Sequence, residues 1–219
     1  MRLREAGRRS HDPLVDTDSP TPEETVKKAS LPLRLAVRPF LAAAVLLTVP
    51  LVAMQLTDEV AWTLFDFAFT GALVFGTGLA FELALETTAD AAYRWGVAVA
   101  LAAGFLLVWA TGAVGIIGSE ADAANLMYAG VLAVGIAGAF VARFRPGGMA
   151  RAMVAAAVAQ ALVCLVAIAS GLGRPYSGAA ELLLLNGFWI ALFLVSAVLF
   201  RSAAREGSAG DLEGVEPVG

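Results

Sequence analysis

The sequence is poor in the residues that most enzymes and metalloproteins use for chemistry. Its only cysteine, Cys164, lies inside an apolar block, so it can form neither an internal disulfide nor a cysteine metal cluster. Its only histidine, His11, lies in a polar terminal stretch, which excludes a haem held by histidines within a membrane. Walker-type glycine loops, His-Glu-x-x-His and Gly-x-Ser-x-Gly are also missing. We therefore predict a protein that is not an enzyme and has no catalytic, cofactor-binding or metal-binding residues.

Charged residues are scarce as well. They make up 16% of the 219 residues, and hydrophobic residues make up 59%. Soluble domains are about a quarter charged and about half apolar. The net charge is -4, so no excess of basic residues is available to neutralise phosphates. We expect a membrane protein with no nucleic-acid partner.

The apolar residues fall into six blocks, and each is long enough to cross a bilayer. A helix needs about 20 residues to span about 30 Å of hydrocarbon. The blocks are apolar all round rather than on one face. They occupy residues 37–56, 61–85, 94–118, 126–143, 151–172 and 181–201. The sequence predicts an all-α fold, a polytopic transmembrane bundle of six helices within residues 37–201.

The basic residues indicate how this bundle is oriented. All of them except Arg174 lie in the polar ends, in the second and fourth connections or in the block ends next to these, which share one side of a six-helix layout. Because lysine and arginine are retained in the cytoplasm, we predict cytoplasmic N- and C-termini. Residues 1–36 and 202–219 are polar and typical of disordered tails. No apolar signal-peptide core precedes residue 37, so we expect the first helix to direct insertion.

A pattern recurs in the even-numbered helices. Asp or Asn is followed by an aromatic residue three positions on, by Gly or Ala at five and by Leu or Phe at seven. The pattern starts at Asp66, Asn125 and Asn186. It is consistent with three helical hairpins repeated about an axis along the membrane normal. Apolar sequence of low complexity also produces such matches by chance, so both interpretations stand.

Asp66 is the side chain that most suggests a function, because a carboxylate within the bilayer costs about 2.5–3.5 kcal/mol. It is the centre of a candidate ion or proton site. The other members share its helix face or its place in the pattern: Thr70, Thr77, Asn125 and Asn186. The alternative is helix capping, by Asp66 as N-cap or through a Thr63-x-x-Asp66 capping box. Gln160, within the fifth block, is expected to hydrogen-bond across a helix interface.

Three stretches of the chain resemble a group of small bacterial multi-pass membrane proteins of about six helices. They are Val49–Val60, Gly115–Glu120 and Asn125–Tyr128, and the likeness covers about residues 40–201. The resemblance implies a bacterial inner (plasma) membrane. It implies no activity, ligand or catalytic residue.

Two functions are consistent with these features. A permease for a small solute or a cation, linked to protons through Asp66, is favoured by that carboxylate, the acidic outer loops and the candidate repeat. A non-catalytic accessory or scaffold protein is favoured by the apolar bundle centre and the long charged tail. The expected contacts are the lipid bilayer and either another membrane protein or a second copy of the chain.

Overall fold

Six α-helices and one 3-10 turn make up most of the structure, a computed structural model that describes residues 22–119 and 121–213. No strand occurs in these two ranges. The helices are α1 Pro22–Leu56, α2 Leu64–Thr87, α3 Ala91–Ala113, α4 Met127–Val141, α5 Pro146–Ala169 and α6 Ala179–Glu213; the 3-10 turn Ala123–Leu126 leads into α4.

Each of the six helices, α4 together with the 3-10 turn before it, provides a segment long and apolar enough to cross a membrane. In α1 this segment is Leu35–Leu56, and in α6 it is Ala179–Ser208. The prediction of an all-α fold with six such helices is confirmed. The third helix ends at Ala113 rather than 118, because Gly115 and Gly118 have φ angles of 77° and 71° that no continuing helix allows.

The predicted boundaries at residues 36/37 and 201/202 fall inside helices. Helix α1 already begins at Pro22, and α6 continues to Glu213. Residues 1–21 and 214–219 lie outside the described residues. The assignment of disordered tails stays a prediction.

The buried core is built from the last four helices, which we call the core bundle (α3–α6). Helix α5 packs between α4 and α6, and α3 packs along α6. Within the described residues, every member of the hydrophobic core cluster lies between Tyr93 and Ala203. Helices α1 and α2, the N-terminal hairpin, pack mainly on each other and reach the core bundle chiefly through α2 and α3.

The three sequential helix pairs are not packed equivalently. Helix α1 packs along α2 and α5 along α6, but α3 and α4 have little mutual contact. Helices α3 and α4 each pack instead on a helix from the last pair. The contacts of the described helices therefore do not show three equivalent hairpins, although the sequence pattern itself is present.

Glycines permit close helix contacts in the core bundle. A Cβ atom built on Gly138 of α4 would lie 2.7 Å from the Cβ of Ala152 in α5. One built on Gly96 of α3 would lie 3.1 Å from the Phe200 ring of α6, and Ser196 donates a hydrogen bond of 2.8 Å to the Gly96 carbonyl. Close backbone approach of this kind is what associates helices in lipid, where the hydrophobic effect between them is weak.

Candidate functional site

Asp66 lies in the first turn of α2 and forms a capping box with Thr63. Its Oδ2 accepts hydrogen bonds from the Thr63 backbone N–H and hydroxyl, both at 2.7 Å. In return, the Asp66 N–H donates to the Thr63 hydroxyl at 3.3 Å. A carboxylate here satisfies free N–H groups and interacts favourably with the helix dipole. The capping interpretation of Asp66 is therefore the one that the geometry favours.

Thr70 and Thr77 follow on the same helix, but the other two predicted site residues lie elsewhere. Thr70 is buried and Thr77 is half-buried. The hydrogen bonds of the Asp66 carboxylate go to Thr63 alone among the described residues. Asn125 and Asn186 have different partners, described next. The five residues of the candidate ion or proton site thus occupy three separate environments.

Asn125 fixes the loop that follows α3. Its Oδ1 accepts from the N–H groups of Ile116 and Ile117, both at 2.9 Å. Its Nδ2 donates to the carbonyls of Ile117 at 3.1 Å and Ser119 at 2.7 Å. An amide side chain can make two bonds as acceptor and two as donor, so all of its capacity is used. Asn125 is a loop-fixing residue with no capacity left for a ligand.

The same loop is joined to the connection between α5 and α6. The Gly118 N–H donates to the Ser177 hydroxyl at 3.1 Å. Gly173 has a φ angle of 84°, and a Cβ built on it would lie 2.9 Å from the Gly118 nitrogen, so only glycine fits. Ile116 and Ile117 are buried beneath this contact. The two loops therefore cover this end of the core bundle with apolar side chains.

Asn186 belongs to a buried polar cluster formed by α4, α5 and α6, which comprises Tyr128, Gln160 and Asn186. The Asn186 Oδ1 accepts from the Tyr128 hydroxyl at 3.1 Å and from the Gln160 Nε2 at 3.0 Å. Its Nδ2 donates to the Leu182 carbonyl at 2.8 Å, which fixes the orientation of the amide. The predicted hydrogen bond of Gln160 across a helix interface is confirmed.

Two buried polar atoms at this level have no partner among the described residues. They are the Gln160 Oε1, an acceptor, and the Trp189 Nε1, a donor. Trp189 lies three residues after Asn186, one turn along α6. An unpaired buried polar group costs about 1–3 kcal/mol, so a water or a polar solute that reached either atom would be stabilised. The cluster is uncharged, which suits a neutral hydrogen-bonding molecule better than a cation.

The sequence indicated Asn186 and Gln160 separately, but it did not indicate Tyr128 as their hydrogen-bonding neighbour or Trp189 as a residue with an unpaired indole N–H. Both aromatics were visible, since each follows an Asn by three residues in the recurring pattern. That spacing places the aromatic on the same helix face as the Asn. The spacing does not by itself predict the cluster, because Asn125 stands in the same relation to Tyr128 and bonds the loop backbone instead.

At the opposite end of the bundle, two arginines have structural roles. Arg94 closes the end of α2, where its Nε donates to the Thr88 carbonyl and its Nη2 to the Leu85 carbonyl, both at 2.8 Å. Arg38 lies 3.6 Å from a carboxylate oxygen of Glu82. The Arg38–Glu82 pair links α1 to α2, and the bonds from Arg94 link the start of α3 to the end of α2.

Five further arginines, all of them exposed, line two adjoining cavities at the same end that are wide open to the surface. The first cavity, of about 540 Å³, is lined by residues from 141 to 151, including Arg143, Arg145 and Arg151. The second, also of about 540 Å³, lies between α5 and α6 and includes Arg151, Arg201 and Arg205. Gly147 and Arg151 line both. None of the residues described as lining either cavity is acidic.

Comparison with known proteins gives no indication of function, so the function is inferred from this geometry. No protein-family model, no curated protein and no solved structure matches the chain.

Proposed function

We propose that the protein is a non-catalytic accessory or scaffold protein of a bacterial inner membrane, with both termini in the cytoplasm. In this proposal the core bundle is the anchor and the N-terminal hairpin binds another membrane protein. The observation that carries it is the position of that hairpin outside the hydrophobic core cluster. The membrane and the orientation are supported by the resemblance and by the distribution of the basic residues.

The two faces of α1 differ in a way that supports a binding role. On one face, α1 packs on α2: Leu47 lies against Gly71, and Pro39 against Gly78. On the other face, large apolar side chains recur at helical spacing and are exposed: Leu41, Val45, Val49 and Val52. A continuous apolar face of this kind can contact either lipid chains or the helix of another protein.

The position of Asp66 also favours this function over a cation permease. A permease linked to protons through Asp66 needs that carboxylate free to exchange an ion with a cavity. Its Oδ2 instead accepts two bonds from Thr63 at the start of α2. Helix capping accounts for the carboxylate without a substrate.

Site-specific photocrosslinking tests the proposed binding face. A photoreactive amino acid at Val45 of α1, which is 68% exposed, is compared with one at Phe140 of α4, which is 66% exposed. We expect Val45 to yield one discrete protein adduct in native membranes, and Phe140 to yield lipid adducts only. The same adducts from both positions, or only lipid adducts from Val45, would contradict a binding role for the hairpin.

Cysteine labelling tests the proposed orientation. Asp58→Cys places a thiol in the turn between α1 and α2, and Gly147→Cys places one at the start of α5; the native Cys164 is buried. In spheroplasts, a membrane-impermeant maleimide should label position 58 and leave position 147 unlabelled until the cells are opened. The reverse order of labelling would invert the topology.

A second function, a permease for a small neutral polar solute, is favoured by two unpaired polar atoms buried in α5 and α6. The Gln160 Oε1 and the Trp189 Nε1 offer one acceptor and one donor inside the core bundle. Flux of small polyols into proteoliposomes tests it. Gln160→Met should abolish such flux, and Asp66→Asn should leave it intact. Proteoliposomes no leakier than empty ones would exclude this function for those solutes.

A further inference from the structure

The arginine-lined cavities lie where α4 ends and α5 begins, beside the C-terminal part of α6. Their arrangement is more specific than the orientation of the protein in a membrane requires. Retention of positive charge in the cytoplasm requires only that arginines lie near the membrane surface. In this bundle five of them come from two separate stretches of the chain, residues 143–151 and 201–205, and surround two adjoining cavities. Arg151 lines both cavities.

The backbone at this place also supplies hydrogen-bond donors. Helix α5 begins at Pro146, and the preceding Arg145 makes no side-chain capping bond. Gly147 and Gly148 follow in the first turn, where N–H groups have no carbonyl partner within the helix. Neither has a side chain to cover its N–H group. Arginine guanidinium groups beside unpaired backbone N–H groups form a recognised environment for phosphate oxygens.

No ion pair between these arginines and a carboxylate is found among the side chains that the structure describes. The lining of both cavities contains no acidic residue among the described positions. The ion pair found elsewhere at this end, Arg38 with Glu82, involves the N-terminal hairpin instead. Three arginines line each cavity, with Arg151 common to both, so like charges repel one another there and an anion bound between them would reduce that repulsion.

We propose that these cavities bind the phosphate headgroup of an anionic membrane lipid, with Arg151 as the central contact. The lipid, rather than a soluble phosphate compound, is indicated by the apolar residues at the rim. Val141 lines the first cavity and is highly exposed, and Phe140 and Phe144 beside it are exposed as well. A headgroup among the arginines would place its acyl chains along this apolar surface. This proposal does not depend on which partner the N-terminal hairpin binds.

Native mass spectrometry of the purified full-length protein in detergent tests it, with phosphatidylglycerol and phosphatidylcholine as probes. We expect phosphatidylglycerol to bind at least about fivefold more tightly than phosphatidylcholine, the effect of a single well-placed basic group near an anionic headgroup. Arg151→Gln should remove about that factor. The matched control Arg38→Gln, at the same end but outside both cavities, should leave the affinity unchanged.

Three results would overturn the proposal. Equal binding of phosphatidylglycerol by Arg151→Gln and wild type would show that the cavities are not the site. An equal loss in Arg38→Gln would reduce the effect to general surface charge. Displacement of phosphatidylglycerol by inorganic phosphate would assign the site to a soluble phosphate compound instead of a lipid. If Arg151→Gln does not fold, Arg201→Gln, which removes an arginine of the second cavity, takes its place with the same expected loss.

Discussion

Replacement of Asn186 by leucine, a residue of similar volume, tests how the buried polar cluster stabilises the core bundle. The substitution removes the acceptor of two interhelical hydrogen bonds, from Tyr128 of α4 and from Gln160 of α5. Such bonds in membrane proteins contribute about 0.6 kcal/mol on average and up to about 1.7. The loss of both should therefore lower the free energy of unfolding by about 1–3 kcal/mol.

Gln160→Met is the matched comparison, and it should behave differently. It removes only one of the two bonds, and it also removes the unpaired Oε1, whose burial costs about 1–3 kcal/mol. The two effects oppose each other, so we expect Gln160→Met to be neutral or stabilising. Methionine also fills the space of glutamine well.

Reversible unfolding in mixed micelles, or steric trapping in bicelles, measures both changes. Tyr128→Phe alone and combined with Asn186→Leu completes a double-mutant cycle that isolates one of the bonds. If Gln160→Met destabilises the protein more than Asn186→Leu does, the Oε1 of Gln160 has a partner, and the cluster contains no unpaired acceptor.

Other substitutions test the packing and capping contacts in the same unfolding assay. Gly138→Ala should destabilise the protein by about 1–3 kcal/mol, because its Cβ would clash with the facing helix. Gly130→Ala, with no atom within 4 Å of the added carbon, should be neutral or stabilising; an equal loss in both would refute the clash. Asp66→Ala should cost about 1 kcal/mol as the capping box is lost. Asn125→Ala should speed hydrogen exchange of the loop amides it holds, and unchanged rates would refute its role.

The number of helices was predictable because it depends on local properties. Length and apolar composition decide whether a segment can cross a bilayer, and all six segments pass that test. The start of α2 was also open to prediction, since Thr63 and Asp66 have the spacing of a capping box. These features depend on residues close together in the chain.

The site could be predicted only in part because its residues depend on distant partners. Asp66, Asn125 and Asn186 share one sequence pattern, yet one caps a helix, one fixes a loop and one joins three helices. The local sequence indicates the capping role through the Thr63-x-x-Asp66 spacing, but it does not distinguish the loop-fixing role of Asn125 from the interhelical role of Asn186. The difference arises from which helices are neighbours, and α3 packs on α6 rather than on the adjacent α4.

The contact between α3 and α6 has a consequence for how the chain assembles during synthesis. The Ser196 hydroxyl donates to the Gly96 carbonyl, and the two residues are 100 positions apart in the chain. Helix α3 therefore cannot make this contact until α6 has left the ribosome. Reporter proteins fused after α3, α4 or α5 in place of the remaining sequence would therefore probe an unfinished assembly. Epitopes inserted into loops of the intact chain avoid that problem.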